Sequence, residues 1–150
     1  MTIAIALHLL AAIIWVGGMF FAHMALRPAA NALLEPPLRL PLMRRVFAGF
    51  FPWVWASVAI LLVTGYWIFL VAFQGKAGLH VHIMSGLGLV MAAIFAYLWF
   101  APYRRLGRAV DAGDIPAAAP HLAMIRRLIA TNLVLGLVTS VLGGTGRYLL

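Results

Sequence analysis

The ionisable side chains within the long apolar stretches of this chain are histidines. His8 lies about five residues into the first stretch and His82 about three residues into the third, which correspond to depths of ~8 Å and ~5 Å along a helix. An ionisable group inside a membrane-spanning helix is costly and is therefore a functional candidate. Two imidazoles at one level on separate helices are what axial ligation of haem b requires. Alternatively, each ring hydrogen-bonds a neighbouring group and only stabilises helix packing.

The residues that share a face with each histidine favour His8 and His82 as the ligand pair. At 100° per residue, His82 shares its face with small residues that include Gly86, and His8 shares its face with Ala12 and Trp15. Small residues permit close helix packing, or they leave room for a flat macrocycle between helices. We therefore expect Trp15 to pack on the macrocycle, while Gly86 and Ala12 leave it space.

His80 offers a substitute haem ligand and a different chemistry. It points away from His82, toward bulkier residues that include Met84, and we expect this face to contact lipid. Residues 80–84 read His-Val-His-Ile-Met, and imidazole and thioether groups both suit copper. Because residues two apart on a helix diverge, His80 and His82 would share one ion only where the helix start is unwound.

Further polar residues extend both hypotheses. Lys76 and Arg147 are the cations on the side of His8 and His82, where they would meet haem propionates or snorkel to the interface. Met19 and His23 are four residues apart and would offer another pair of copper donors, while His23 and His121 would suit a second haem or lie among headgroups. A polar and small-residue stripe on the fourth apolar stretch is typical of a helix contact, or would line a cofactor cleft: Asn132, Gly136, Ser140 and Gly144.

The composition indicates that the elements carrying these residues are membrane helices. Of the 150 residues, 65% are hydrophobic and 9% are charged, whereas a soluble domain has about 45–50% apolar and about 25% charged residues. Each of four uncharged runs reaches or approaches the ~20 residues that cross ~30 Å of hydrocarbon. We predict one all-α domain, residues 1–150, a polytopic four-helix bundle with spans at about 2–26, 47–74, 79–103 and 123–146. The absence of cysteine excludes disulfides, Cys-ligated iron–sulfur clusters and covalent c-type haem.

The distribution of charge predicts the orientation of the bundle. Nine Lys and Arg residues lie in the first and third connections, and two lie on the other side. The positive-inside rule therefore places both termini outside the cytoplasm. This bias also explains the net charge of +8 without a nucleic-acid partner. Prolines in the first connection predict a helix break there, with residues 38–50 lying along the interface. A first span that enters from outside with no basic segment before it argues against a cleaved signal peptide.

Several motifs resemble those of the CopD-like membrane proteins, a group that includes the copper-resistance protein D family and the HemJ-type protoporphyrinogen oxidases. They are Ala-Leu-His at 6–8, Ile-Trp-Val-Gly-Gly-Met-Phe at 14–20, Arg-Arg-Val-Phe at 44–47, Thr-Gly-Tyr-Trp at 64–67 and Gly-Leu-His-Val-His at 78–82. The resemblance implies a four-helix membrane protein that binds b-type haem, with His8 as the family's first-helix histidine. HemJ-type proteins carry His-x-Lys at the start of the third helix. Here His82 stands in place of that lysine, which disfavours the oxidase activity and favours bis-histidine ligation.

These observations predict a haem b protein of the bacterial cytoplasmic (inner) membrane, with His8 and His82 as axial ligands. It would transfer electrons with a quinone or a periplasmic partner, as a membrane oxidoreductase or a relay. The alternatives are a copper transport or copper-resistance protein of CopD type, a HemJ-like protoporphyrinogen oxidase, and a structural subunit without a cofactor. The small-residue faces would serve contacts between two copies of the chain equally well.

Overall fold

A computed structural model describes residues 1–74 and 76–149, without the side chains of Arg147 and Leu149. Four helices are long and apolar enough to cross a membrane: Thr2–Leu33, Pro36–Val71, Leu79–Asp111 and Ile115–Gly146. This confirms the predicted all-α, four-span fold. Each helix has 32 to 36 residues, which correspond to about 50 Å against about 30 Å of hydrocarbon. The helices are therefore longer than the predicted spans. We call the end of the bundle that carries the first and third connections the arginine end, and the opposite end the histidine end. The helices extend beyond the predicted spans at the arginine end.

The second span is one continuous helix, α3, from Pro36 to Val71. The prediction that residues 38–50 form a separate interfacial segment is therefore wrong. The break lies earlier, at residues 34–35, between α2 (Arg27–Leu33) and α3. Pro36 occupies the first turn of α3, where a missing N–H costs no helical hydrogen bond. Pro41 and Pro52 are exposed inside the helix, so each interrupts one hydrogen bond on the surface without stopping the helix.

Spans one and three share the same internal layout. Span one consists of α1 (Thr2–Phe21), a π-helical segment (Ala22–Leu26) and α2. Span three consists of α4 (Leu79–Leu98), a π-helical segment (Trp99–Tyr103) and α5 (Arg104–Asp111). α1 and α4 each have 20 residues, so the two π segments begin at the same distance from the histidine end. π-helical turns are rare and often occur at functional sites.

A tight turn joins span three to α6 (Ile115–Leu149) at the arginine end. Gly113 has a φ of +70°, a left-handed conformation that glycine adopts without a steric penalty. Its N–H donates to the carbonyl of Val110, at 3.0 Å. The Asp114 carboxylate then accepts the N–H of Ala117 at 3.0 Å, as an N-cap of α6.

The helices pack mainly in two pairs, α1 against α3 and α4 against α6, and α6 also contacts α1. An aromatic core in the arginine half joins the pairs: Phe51 stacks on Phe47 with ring centroids 5.0 Å apart and meets Phe95 and Tyr103 edge-on. In the histidine half, α3 and α4 are less buried than in the arginine half. In the described part of the chain, no residue of α3 after Thr64 and no residue of α4 before Met91 is fully buried.

Candidate functional site

The His8 imidazole is held by a hydrogen-bond relay to α3. Its Nδ1 lies 2.8 Å from Oγ1 of Thr64, and the Thr64 hydroxyl donates to the carbonyl of Ile60 at 2.6 Å. Because the single proton of that hydroxyl is already committed, Nδ1 of His8 must carry the proton and donate it to Thr64. Nε2 is then the unprotonated nitrogen. A partner that fixes the tautomer in this way is typical of histidines that ligate metals through their other nitrogen.

His82 is exposed near the start of α4, and its ring contacts α3. Its Nδ1 donates to the carbonyl of Gly78 at 3.2 Å, and its ring meets Phe69 edge-on, with centroids 5.6 Å apart. His8 and His82 therefore contact neighbouring turns of the same helix, α3, with the same nitrogen committed in each ring. A Cβ on Gly86 would have no neighbour within 4 Å, so the face it shares with His82 is open.

Trp15 lies deeper than either histidine. It is 3% exposed and meets Phe95 edge-on, with ring centroids 6.3 Å apart. The structure thus places the Trp15 ring in the aromatic core. Ala12, one turn closer to His8, is partly buried.

The expectation that His80 faces lipid is wrong, because His80 packs against α6. A Cβ built on Gly146 would lie 2.6 Å from Cβ of His80, so glycine at this position allows the two helices to approach. Nδ1 of His80 is buried and has no hydrogen-bond partner. One turn further along α4, Sδ of Met84 lies 3.8 Å from the position of a Cβ on Gly143. His80 and Met84 therefore share the α4–α6 interface.

The same interface carries a third soft donor deeper in the bundle. Met91 is 3% exposed, and its Cε lies 3.1 Å from the position of a Cβ on Gly136. Its backbone carbonyl accepts a hydrogen bond from Nδ2 of Asn132 at 3.1 Å. Oδ1 of the same amide is buried without a partner. We call His80, Met84 and Met91 the donor row.

The predicted stripe on the fourth span is correct at its deep end and wrong at the other. Asn132 and Gly136 are buried, whereas Ser140 and Gly144 are exposed. Steps of four residues drift by about 40° each around a helix, so the stripe leaves the interface after two steps. The glycines that face α4 are instead Gly143 and Gly146, and their spacing along α6 is the signal that could have identified them.

The remaining candidate residues are distributed over both ends. Lys76 is exposed in the connection before α4, and the side chain of Arg147 lies outside the described residues. His23 lies in the first π-helical segment and His121 in α6, both partly buried. His80 and His82 both lie within the regular helix α4, so the unwound start that would let them share one ion is not present. In the described ranges no three His, Cys, Asp or Glu side chains form a metal-binding group.

A family model described as copper resistance protein D matches residues 44–145. This range runs from the arginine end of α3 through α4 and α5 to the last turns of α6, and it includes the whole donor row. Comparisons with curated proteins and with solved structures gave no match.

Proposed function

Because the chain belongs to the copper resistance protein D family, we propose that it binds Cu(I) in the membrane and passes it along the α4–α6 interface. His80 and Met84 would be the first ligands. With the arginine end in the cytoplasm, as the positive-inside rule predicts, these two residues lie near the outer face of a bacterial inner membrane. A periplasmic copper-binding protein would then be the natural partner.

The observation that carries this proposal is the buried Nδ1 of His80, which has no hydrogen-bond partner. A buried polar atom without a hydrogen bond costs free energy. We therefore expect Nδ1 of His80 to bind another partner in the native protein, such as a metal ion. Met84 supplies a thioether one turn away on the same face of α4. Imidazole and thioether are the ligands that favour Cu(I) over harder cations.

The position of Met91 supports passage rather than storage. It follows Met84 by seven residues on α4, about 10 Å deeper along the helix. Three glycines on α6 face the donor row, and their lack of side chains leaves space beside it: Gly136, Gly143 and Gly146. The donor row offers two ligands at its outer position, His80 and Met84, and one ligand, Met91, deeper in the bundle. So few ligands would bind an ion weakly enough to release it, and release is what a transported ion requires.

The test is Cu(I) retention by the detergent-purified chain in competition with a colorimetric Cu(I) chelator. Met84→Leu keeps the shape of the side chain and removes the sulfur, so we expect affinity to fall roughly tenfold, a loss of about 1.4 kcal/mol. Met124→Leu is the matched control, because Met124 is an exposed methionine on α6. Equal retention by both variants and the unaltered chain would contradict the proposal.

A second pair of variants separates the two histidines of α4. His80→Asn should lower Cu(I) retention, whereas His82→Asn should not, because His82 contacts Phe69 on the other side of the helix. Loss of retention in His82→Asn alone would refute the assignment of the ligands. His8→Asn should also retain Cu(I), since the His8 ring contacts α3.

The relay from His8 through Thr64 favours haem ligation as a second candidate function. The residues fit one axial ligand well, because Nε2 of His8 is unprotonated and its ring is oriented by α3. Nε2 of His82, whose Nδ1 is hydrogen-bonded to the carbonyl of Gly78, would be a second ligand. Haem b would supply a one-electron iron centre for exchange with a quinone or a periplasmic partner. A visible spectrum of the purified chain, with and without dithionite, tests this: we expect a Soret band that His8→Ala abolishes, and a colourless chain expressed with ample haem would refute it.

A further inference from the structure

Four arginines from three spans converge at the arginine end. Arg27 begins α2, Arg39 lies near the start of α3, and Arg126 and Arg127 lie on α6. The charges of the other three all lie close enough to repel Arg126. We call these four residues the arginine cluster.

The cluster has no acidic partner among the described residues. The chain has three acidic residues. Asp111 forms a bidentate pair with Arg44, and Asp114 accepts the N–H of Ala117. Glu35 is exposed, and no salt bridge other than the Arg44–Asp111 pair is formed within the described ranges. The cluster therefore contains four positive charges and no counter-charge from the protein.

Burial makes this arrangement different from a solvated basic surface. Nε of Arg27 and Nε of Arg126 are both buried and lack a hydrogen-bond partner. By contrast, Arg45, Arg105 and Arg108 are exposed, as the positive-inside rule alone would produce, and within the cluster only Arg127 is exposed in the same way. Unsatisfied buried donors among like charges are unfavourable unless an acceptor with negative charge completes the group.

The depth of the cluster indicates where that acceptor comes from. Arg126 lies about 30 Å along α6 from Gly146, which is the thickness of the hydrocarbon core. The cluster is therefore at the level of lipid headgroups when the histidine end lies at the opposite interface. Guanidinium groups bind phosphate with two parallel hydrogen bonds, and basic pockets between membrane helices accommodate acidic headgroups. We propose that the arginine cluster binds the phosphate of an anionic phospholipid.

The test follows thermal unfolding of the purified full chain while phosphatidylglycerol, phosphatidylcholine or inorganic phosphate is added. A ligand that binds the folded state raises the melting temperature in proportion to the logarithm of its concentration. We expect phosphatidylglycerol to raise it and the other two to leave it unchanged. An equal rise with inorganic phosphate at the same phosphate concentration would overturn the assignment to lipid, because the site would then bind a soluble anion.

Variants assign the effect to the cluster. Arg126→Gln should weaken the apparent affinity for phosphatidylglycerol about tenfold through lost charge-assisted hydrogen bonds. Arg45→Gln, which removes the same charge from an exposed position on α3, should change it less than about twofold. Equal losses in the two variants would refute the proposal, since net charge alone would then account for binding.

The stability in neutral lipid separates binding from a purely structural role. In phosphatidylcholine, Arg126→Gln should be at least as stable as the unaltered chain, because it relieves repulsion by three neighbouring charges. A structural arginine would instead leave the variant less stable in every lipid, and that result would overturn the proposal. If Arg126→Gln does not purify, Arg39→Gln tests the same cluster from α3, with the same control.

Discussion

Replacing Gly146 with alanine tests the close approach of α4 and α6 on which the donor row depends. A Cβ at this position would lie 2.6 Å from Cβ and 2.9 Å from Cγ of His80. Carbon atoms in contact settle about 3.5–4.0 Å apart, so the helices would have to separate locally by about 1 Å. No rotamer of His80 relieves the clash, because its Cβ is fixed to the backbone.

The change in the free energy of unfolding depends on two opposing effects, the cost of overpacking and the gain in helix propensity. Inserting a methyl group into a closely packed contact costs about 1–3 kcal/mol, whereas alanine in place of glycine gains up to about 1 kcal/mol within a helix. Gly144→Ala is the matched control, since a Cβ there meets nothing within 4 Å and keeps the propensity gain. The difference in the free energy of unfolding between the two variants should therefore be about 1–3 kcal/mol, with Gly146→Ala the less stable.

The assay is the melting temperature of both variants in one detergent, read as loss of the monodisperse chromatographic peak after heating. For a chain of this size each kcal/mol corresponds to about 2–4 °C, so Gly146→Ala should melt about 2–12 °C below Gly144→Ala. Because the substitution displaces His80, it should also lower Cu(I) retention, and Gly144→Ala should not. Equal melting temperatures would refute the packing argument. A lower melting temperature with unchanged retention would refute the role of His80.

Three further substitutions test other parts of the structure. Phe51→Ala removes the central ring of the aromatic core, 1% exposed, and should lower the free energy of unfolding by about 3–5 kcal/mol; a melting temperature near that of the unaltered chain would contradict the packing. Asp111→Asn breaks the exposed pair with Arg44 and should cost only about 0.2–1 kcal/mol, a loss that disappears at high salt. Thr64→Val removes the acceptor of the His8 N–H and should cost about 1 kcal/mol without changing Cu(I) retention; wild-type stability would mean that this hydrogen bond is dispensable.

The four spans could be predicted because hydrophobicity alone determines which segments enter a membrane. The continuity of α3 could not. Pro41 is one of the prolines that predict a helix break in the first connection, yet it removes only one hydrogen bond on an exposed side of a long helix. The resemblance to CopD-like proteins is confirmed by the family match over residues 44–145. The orientation of the termini stays a prediction.

The sequence predicts which residues share one face of a helix. It does not predict which neighbouring helix that face contacts. The sequence correctly predicts that His80 and Met84 share a face, since a step of four residues returns to one side of a helix. Their contact with α6 depends on Gly143 and Gly146, residues that no ligand pattern highlights. Thr64 stands out in the sequence only as part of the Thr-Gly-Tyr-Trp motif, because a hydroxyl 56 positions away in the chain gives no local sign that it will accept a hydrogen bond from His8. Ligation by His8 and His82 stays a prediction.

In spans one and three, the π-helical segment determines how the side chains of the arginine end are rotated about the helix axis relative to those of the histidine end. A π turn holds about one residue more than an α turn, so everything after it is rotated by about 100° relative to an uninterrupted α-helix. Arg27 directly follows the segment Ala22–Leu26, and its direction toward Arg126 is set by that extra residue. Deleting one residue within the segment would restore α-helical phase, swing Arg27 away from α6 and leave His8 facing Thr64. A change of one residue in length would thus remove Arg27 from the proposed lipid site and leave the proposed copper ligands on α4 in place.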